Sequence, residues 1–119
     1  IPALWDEKMK SWLGLSTAGN YRDGCMQDIH WTDGSFGYFP SYTLGAMYAA
    51  QFKAAMAKSV DIAGAINNGD LSPIFNWLAD NTWSKGSQLN TDELVLQATG
   101  GSLNAAHFKS HLFSRYLSR

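Results

Sequence analysis

The sequence is short of charge. Only 16% of its 119 residues are Asp, Glu, Lys or Arg, against about 25% in ordinary soluble domains. The formal net charge is −1, and the lysines and arginines are scattered. With no basic run and no Lys/Arg-rich helix face, neither nucleic acid nor an anionic membrane surface is expected as a partner. Cysteine is limited to Cys25. A single thiol cannot close an internal disulfide, which points to a reducing compartment. Cys25 lies between Gly24 and Met26 with no activating neighbour, which disfavours a nucleophilic role. The only glutamates are Glu7 and Glu93, and both fit helix-start positions. Long apolar runs are missing too. The longest weakly charged stretch, 34–51, is interrupted by glycine, proline and polar residues and is not a membrane span. No secretory leader is recognisable. A start at Ile1 leads us to expect that the chain begins inside a longer gene product. No alternating strand pattern, internal repeat or low-complexity segment occurs.

What remains is helical. Apolar residues make up 45% of a length suited to one domain. Leu4, Trp5, Met9, Trp12 and Leu13 recur at helical spacing after Pro2, predicting a helix over about 3–13 that Gly14 ends. Residues 15–40 carry no sustained period and read as a loop, with a helical turn near Met26–Ile29. From about 41 to 58 the helical pattern is strong: Leu44, Met47, Tyr48, Gln51, Phe52 and Ala55 share a face, and alanines fill the others. A helix so apolar all round belongs inside a larger protein. A short helix is expected over 61–67. Another should start at Ser72 as N-cap with Pro73 following, and run to about Trp83. Thr91 is the expected N-cap of the next helix. Asn104 is the expected cap of the last, with Phe108, Leu112, Tyr116 and Leu117 facing inward. The expected architecture is all-α, with 1–119 as a single helical region.

The stretch Gly24–Gly45 is the densest in chemistry. Trp31, Phe36, Tyr38, Phe39 and Tyr42 can pack it in place. Gln27, Asp28, His30, Tyr38 and Tyr42 are the candidates to face a ligand. A loop this long and this rich in rigid groups is unusual unless functional, though an aromatic-packed loop without a ligand has the same composition. Asp28 and His30 make an acid–imidazole neighbourhood without forming a triad. His30 can donate or accept a proton, and the tyrosine hydroxyls can donate to a developing negative charge or a carboxylate. His107 and His111, four apart on one helix, have zinc-ligand spacing. The residue after His107 is Phe108, where a zincin has glutamate. Arg115 continues the same stripe, so a polar helix edge is the better reading.

Gly-Cys-Met-Gln-Asp-Ile-His-Trp at 24–31 resembles the Gly-x-x-Gln-Asp-x-His-Trp motif of the M32 metallocarboxypeptidases, the carboxypeptidase Taq family. The block from Gly34 to Gly45 resembles that family's next segment, although Ser41 stands where threonine is common. Leu4-Trp5, Trp12-Leu13-Gly14 and Ala49-Ala50-Gln51 fit as well. The resemblance implies the C-terminal part of a larger, mostly helical, gluzincin-like peptidase that releases C-terminal amino acids from peptides. It implies zinc or cobalt, held by a His-Glu-x-x-His helix and a downstream glutamate. That machinery is absent from this sequence, so no metal ligand is assigned here and the chain alone is expected to be inactive. By position, His30 would lie near the oxyanion. Tyr42 would stabilise the tetrahedral intermediate, and Tyr38 would assist or hold the substrate's terminal carboxylate. Gln27 and Asp28 would orient this wall. The implied partners are peptide C-termini, the missing N-terminal part of the same enzyme, and a second subunit in a cytoplasmic homodimer. Poor folding alone, or self-association through Leu44–Met56, is the accompanying expectation.

Two other functions fit parts of the sequence. A non-enzymatic helical interaction module would use the alanine-rich helix and the aromatic loop to bind a protein or peptide. A sugar-binding loop would use Trp31, Tyr38 and Tyr42.

Overall fold

The computed structural model describes residues 1–117, and among these there is no strand. The helices are α1 (Pro2–Leu13), α2 (Ile29–Thr32), α3 (Pro40–Met56), α4 (Ile62–Asn67), α5 (Ser72–Asn81), α6 (Thr91–Thr99) and α7 (Ala105–Leu112). A 3-10 turn, Trp83–Lys85, follows α5, and a π turn, Phe113–Leu117, follows α7. The expected all-α class is what the structure shows. The chain divides into two compact units, Ile1–Ser41 and Tyr42–Arg119.

In the first unit α1 begins with Pro2 in its first turn and ends at Gly14, whose φ of 70° continues no right-handed helix. Asp6 does not act as a first-turn acid. It sits one turn further in, and its carboxylate gathers the chain that returns after the helix. Oδ1 accepts from the Thr17 backbone N–H at 2.6 Å and from the Ser16 hydroxyl at 3.1 Å. Oδ2 pairs with Lys10, one turn on, at 2.8 Å. The loop then turns over Gly24. A side chain there would meet the carbonyl oxygen of Asn20 and the Cβ of Thr17, so the position accepts only glycine without movement. Cys25 beside it is buried.

In the second unit the organising side chain is Gln51 on α3, 2% exposed. Its Nε2 donates to Thr99 Oγ1 at 2.8 Å and to the carbonyls of Gly101 and Ser102, both at 3.1 Å. Its Oε1 accepts from the Asn104 backbone N–H at 2.8 Å. One amide thus ties α3 to the α6–α7 connection. Buried polar atoms require such partners, because leaving one unpaired costs about 1–3 kcal/mol.

Several helix ends differ from the expectation by a residue. Asn90, not Thr91, caps α6 and forms a reciprocal capping box with Glu93. At α5 the N-cap position is Leu71, while the Asp70 side chain accepts from the Ser72 N–H at 3.0 Å. Ser72 and Pro73 both lie inside the helix. Asn104 caps α7 as expected, through Ala106 N–H at 2.9 Å. Leu112, Tyr116 and Leu117 are exposed instead of facing inward. α3 starts at Pro40 and is buried only at Gln51 and Met56, so its expected burial on all sides is not met within this chain. The other buried apolar side chains are Cys25, Ala65 and Val95, while Trp12 and Phe36 are each 75% exposed.

The Asp6 cluster sets an acid-stability prediction. The hydrogen bond from Lys10 and then that from the Thr17 backbone outweigh burial and lower the Asp6 carboxyl from 3.8 to about 2. The folded chain therefore binds fewer protons than the unfolded chain between these values. The stabilisation is fully present above the unfolded value and lost as pH falls through about 2. The urea midpoint of the native sequence is expected to exceed that of Asp6→Asn near neutrality, with the gap closing in acid. A gap that does not change with pH would contradict this.

Candidate functional site

The site grows from a four-residue helix that could not persist by propensity alone. Asp28, in extended conformation, caps α2: its Oδ1 accepts the backbone N–H of His30 at 3.0 Å. The same oxygen accepts the imidazole Nδ1–H of His30 at 2.5 Å. The residue two positions after an Asx cap carries the N–H the carboxylate seeks, so the Asp-x-His spacing lets one oxygen bind both backbone and ring. With Nδ1 donating, Nε2 is the basic nitrogen of the neutral ring. At the other end the Thr32 hydroxyl donates to the Ile29 carbonyl at 2.8 Å. Gly34, at φ 73°, lets the Ser35 N–H return to the His30 carbonyl at 2.8 Å.

Aromatic rings fix the imidazole in place. Tyr38 stacks on it with centroids 5.1 Å apart and planes 29° apart. Phe39 meets it edge-on at 5.8 Å, and Phe36 packs edge-on against Trp31 at 6.0 Å. Asp28 and His30 are mostly buried, with side chains 14% and 19% exposed. Burial would raise the Asp28 carboxyl. The backbone and ring hydrogen bonds of His30, its charge, and the Trp31 side chain together outweigh this and hold it below its ordinary value.

Gln27, Asp28 and His30 lie along the polar edge of a cleft of about 840 Å³ within the first unit. The rest of the wall is apolar, with Trp5, Met9 and Leu13 from α1 facing Trp31, Phe36 and Phe39 from the loop. The volume is in the range of small-ligand sites. The contribution of α1 is absent from the sequence reading, although the i, i+4, i+8 spacing of Trp5, Met9 and Leu13 was its visible signal. Tyr38 joins the cluster through the His30 ring. Tyr42 belongs to the second unit, exposed near the start of α3. Among the described residues, no three His, Cys, Asp or Glu side chains gather to hold a metal ion. No metal-borne step is assigned to the described side chains.

Replacing Asp28 separates its two tasks. Asp28→Ala is expected to remove the α2 cap, a loss of about 1 kcal/mol, and to speed hydrogen exchange at the His30 amide. Asp28→Asn keeps an acceptor for that amide and should exchange nearly as slowly as the native chain. Equal exchange in all three proteins would rule out the capping role.

Comparison with known proteins agrees with this motif. Residues 1–116 match the family described as carboxypeptidase Taq (M32) metallopeptidase. The chain is 36% identical to carboxypeptidase 1 of Bacillus subtilis over 117 residues, covering 98% of this chain and 23% of that protein. It is 38% identical to thermostable carboxypeptidase 1 of Thermus thermophilus, again covering 23% of the relative. Its backbone superposes on metallocarboxypeptidase 1 of Trypanosoma cruzi with a TM-score of 0.94 at 47% identity, covering 99% of this chain and 25% of that one. The chain thus spans about a quarter of the length of the relatives it matches. A motif whose glycine, acid and imidazole each have a structural reason, and a match that runs almost end to end, place the chain in the carboxypeptidase Taq (M32) metallopeptidase family.

Proposed function

We propose that this chain forms one wall of the substrate cleft of a metal-dependent carboxypeptidase that releases single amino acids from peptide C-termini. The observation that carries the reading is the Asp28–His30–Tyr38 cluster at the edge of an aromatic cleft, in a chain of this family. A peptide end needs donors for its carboxylate and for the charge that develops on the scissile carbonyl oxygen. The ring of His30, held by Asp28, supplies one donor when protonated. The Tyr42 hydroxyl is assigned to the developing oxyanion, and the Tyr38 hydroxyl to the terminal carboxylate. Gln27, exposed at the rim, helps to orient the incoming chain. The indole N–H of Trp5, which also lines the cleft, is buried without a hydrogen-bond partner. That leaves a donor for an acceptor brought by substrate or by the rest of the protein. Residues 1–119 act on this reading as a single region of a larger catalytic domain.

The metal, zinc or cobalt, is held by residues outside this chain, on the missing part of the enzyme. The exposed apolar side chains of α1 and of the aromatic loop suit coverage by that part. A cytoplasmic homodimer completes the proposal; the lone, buried Cys25 bears only on the compartment.

In the full-length protein, Tyr42→Phe is expected to lower kcat about a hundredfold with KM little changed, as for loss of one oxyanion donor. His30→Ala should lower kcat/KM at least as much. Full activity in either variant would refute the assigned role. Residues 1–119 alone, with added zinc or cobalt, should release no C-terminal amino acid from a peptide. Metal-dependent turnover by that chain would show that a catalytic centre had been misplaced outside it.

A further inference from the structure

A second cleft lies within the Tyr42–Arg119 unit, between α3 and α7. Ala50, Lys53 and Ala54 line it from α3, with Ala57 just past the end of that helix, at positions i, i+3, i+4 and i+7. His107, Ser110 and His111 repeat that spacing on α7, with Ser114 in the π turn that follows. The helical residues of each set therefore share one face. Alanines form one side and leave room, and every other lining group can donate a hydrogen bond. Its volume is about 220 Å³, below the usual range for drug-sized ligands and suited to a small ion.

The sign of that ion follows from charge placement. None of the ten carboxylates of the chain lies between residues 34 and 60, or after Glu93. The two helices that make the cleft thus carry no acidic side chain at all, while Lys53 lines it directly. Lys53 has no ion-pair partner among the described residues. The two histidines at i, i+4 would suit a transition metal if a third ligand and a compensating charge were present. Neither is supplied here: no metal-ligating trio occurs among the described residues, and the ammonium of Lys53 repels a cation.

We propose that this cleft binds a small oxyanion of the phosphate type. Lys53 provides the fixed charge, Ser110 and Ser114 provide hydroxyl donors, and His107 and His111 provide ring N–H donors.

The test is calorimetric titration of the full-length protein with inorganic phosphate at constant ionic strength. One saturable site per chain is expected. Lys53→Met should weaken it about tenfold, in line with loss of a charge-assisted bond, and Lys53→Arg should retain most of it. The double variant His107→Ala/His111→Ala, which removes both ring donors, should also weaken it. Lys53 is exposed, so its variants should keep the native melting temperature. No saturable binding, or native affinity in both Lys53→Met and the double variant, would overturn the proposal. So would zinc binding that depends on the two histidines in a protein that takes up no phosphate.

Discussion

A buried amide that must find four partners organises the larger unit. Gln51 is enclosed on a largely apolar helix, and the hydrogen bonds of its side chain reach the segment 99–104. Apolar contacts tolerate sliding by a few tenths of an ångström, whereas an amide in a low-dielectric site does not. The register of α3 against the α6–α7 connection therefore follows from one side chain. Asp6 does the same in the smaller unit over a shorter span, drawing the chain after α1 back to the helix. With so few side chains fully buried, these directional bonds carry much of the specificity that a larger core would otherwise supply.

The site follows the same rule at smaller scale. α2 has four residues and exists because Asp28 caps it. The cap oxygen also holds the ring of His30, so the backbone turn and the imidazole orientation are one structural event. Tyr38 and Phe39 then enclose the ring from other directions. A chemical group placed this way is oriented before any ligand arrives, which is what a donor to a developing charge needs.

Membership of a metallopeptidase family and the lack of a metal-ligating cluster among the described residues are compatible. The chain spans about a quarter of the length of its relatives. The large share of exposed aromatic and aliphatic residues agrees with a segment whose neighbours lie elsewhere in a longer protein. It also explains why helical periodicity overstated burial in α3, Tyr116 and Leu117. Periodicity reports that a face is apolar and says nothing about which element covers it.

The sequence by itself determined what short-range physics controls. The helical class, the stop at Gly14 and the Asn104 cap were legible because their causes lie within a few residues. The pairing of Asp28 with His30 was legible for the same reason, as was the family through the spacing of 24–31. Thr91 and Ser72 were misread by one or two positions, because neighbouring residues compete for the same cap and only backbone geometry chooses among them. The tertiary structure alone decided the partners of Gln51, the role of Asp6 and the part α1 plays in the aromatic cleft. It alone brought Lys53 to the histidines of α7. These depend on which faces meet, and no local pattern in the chain encodes that.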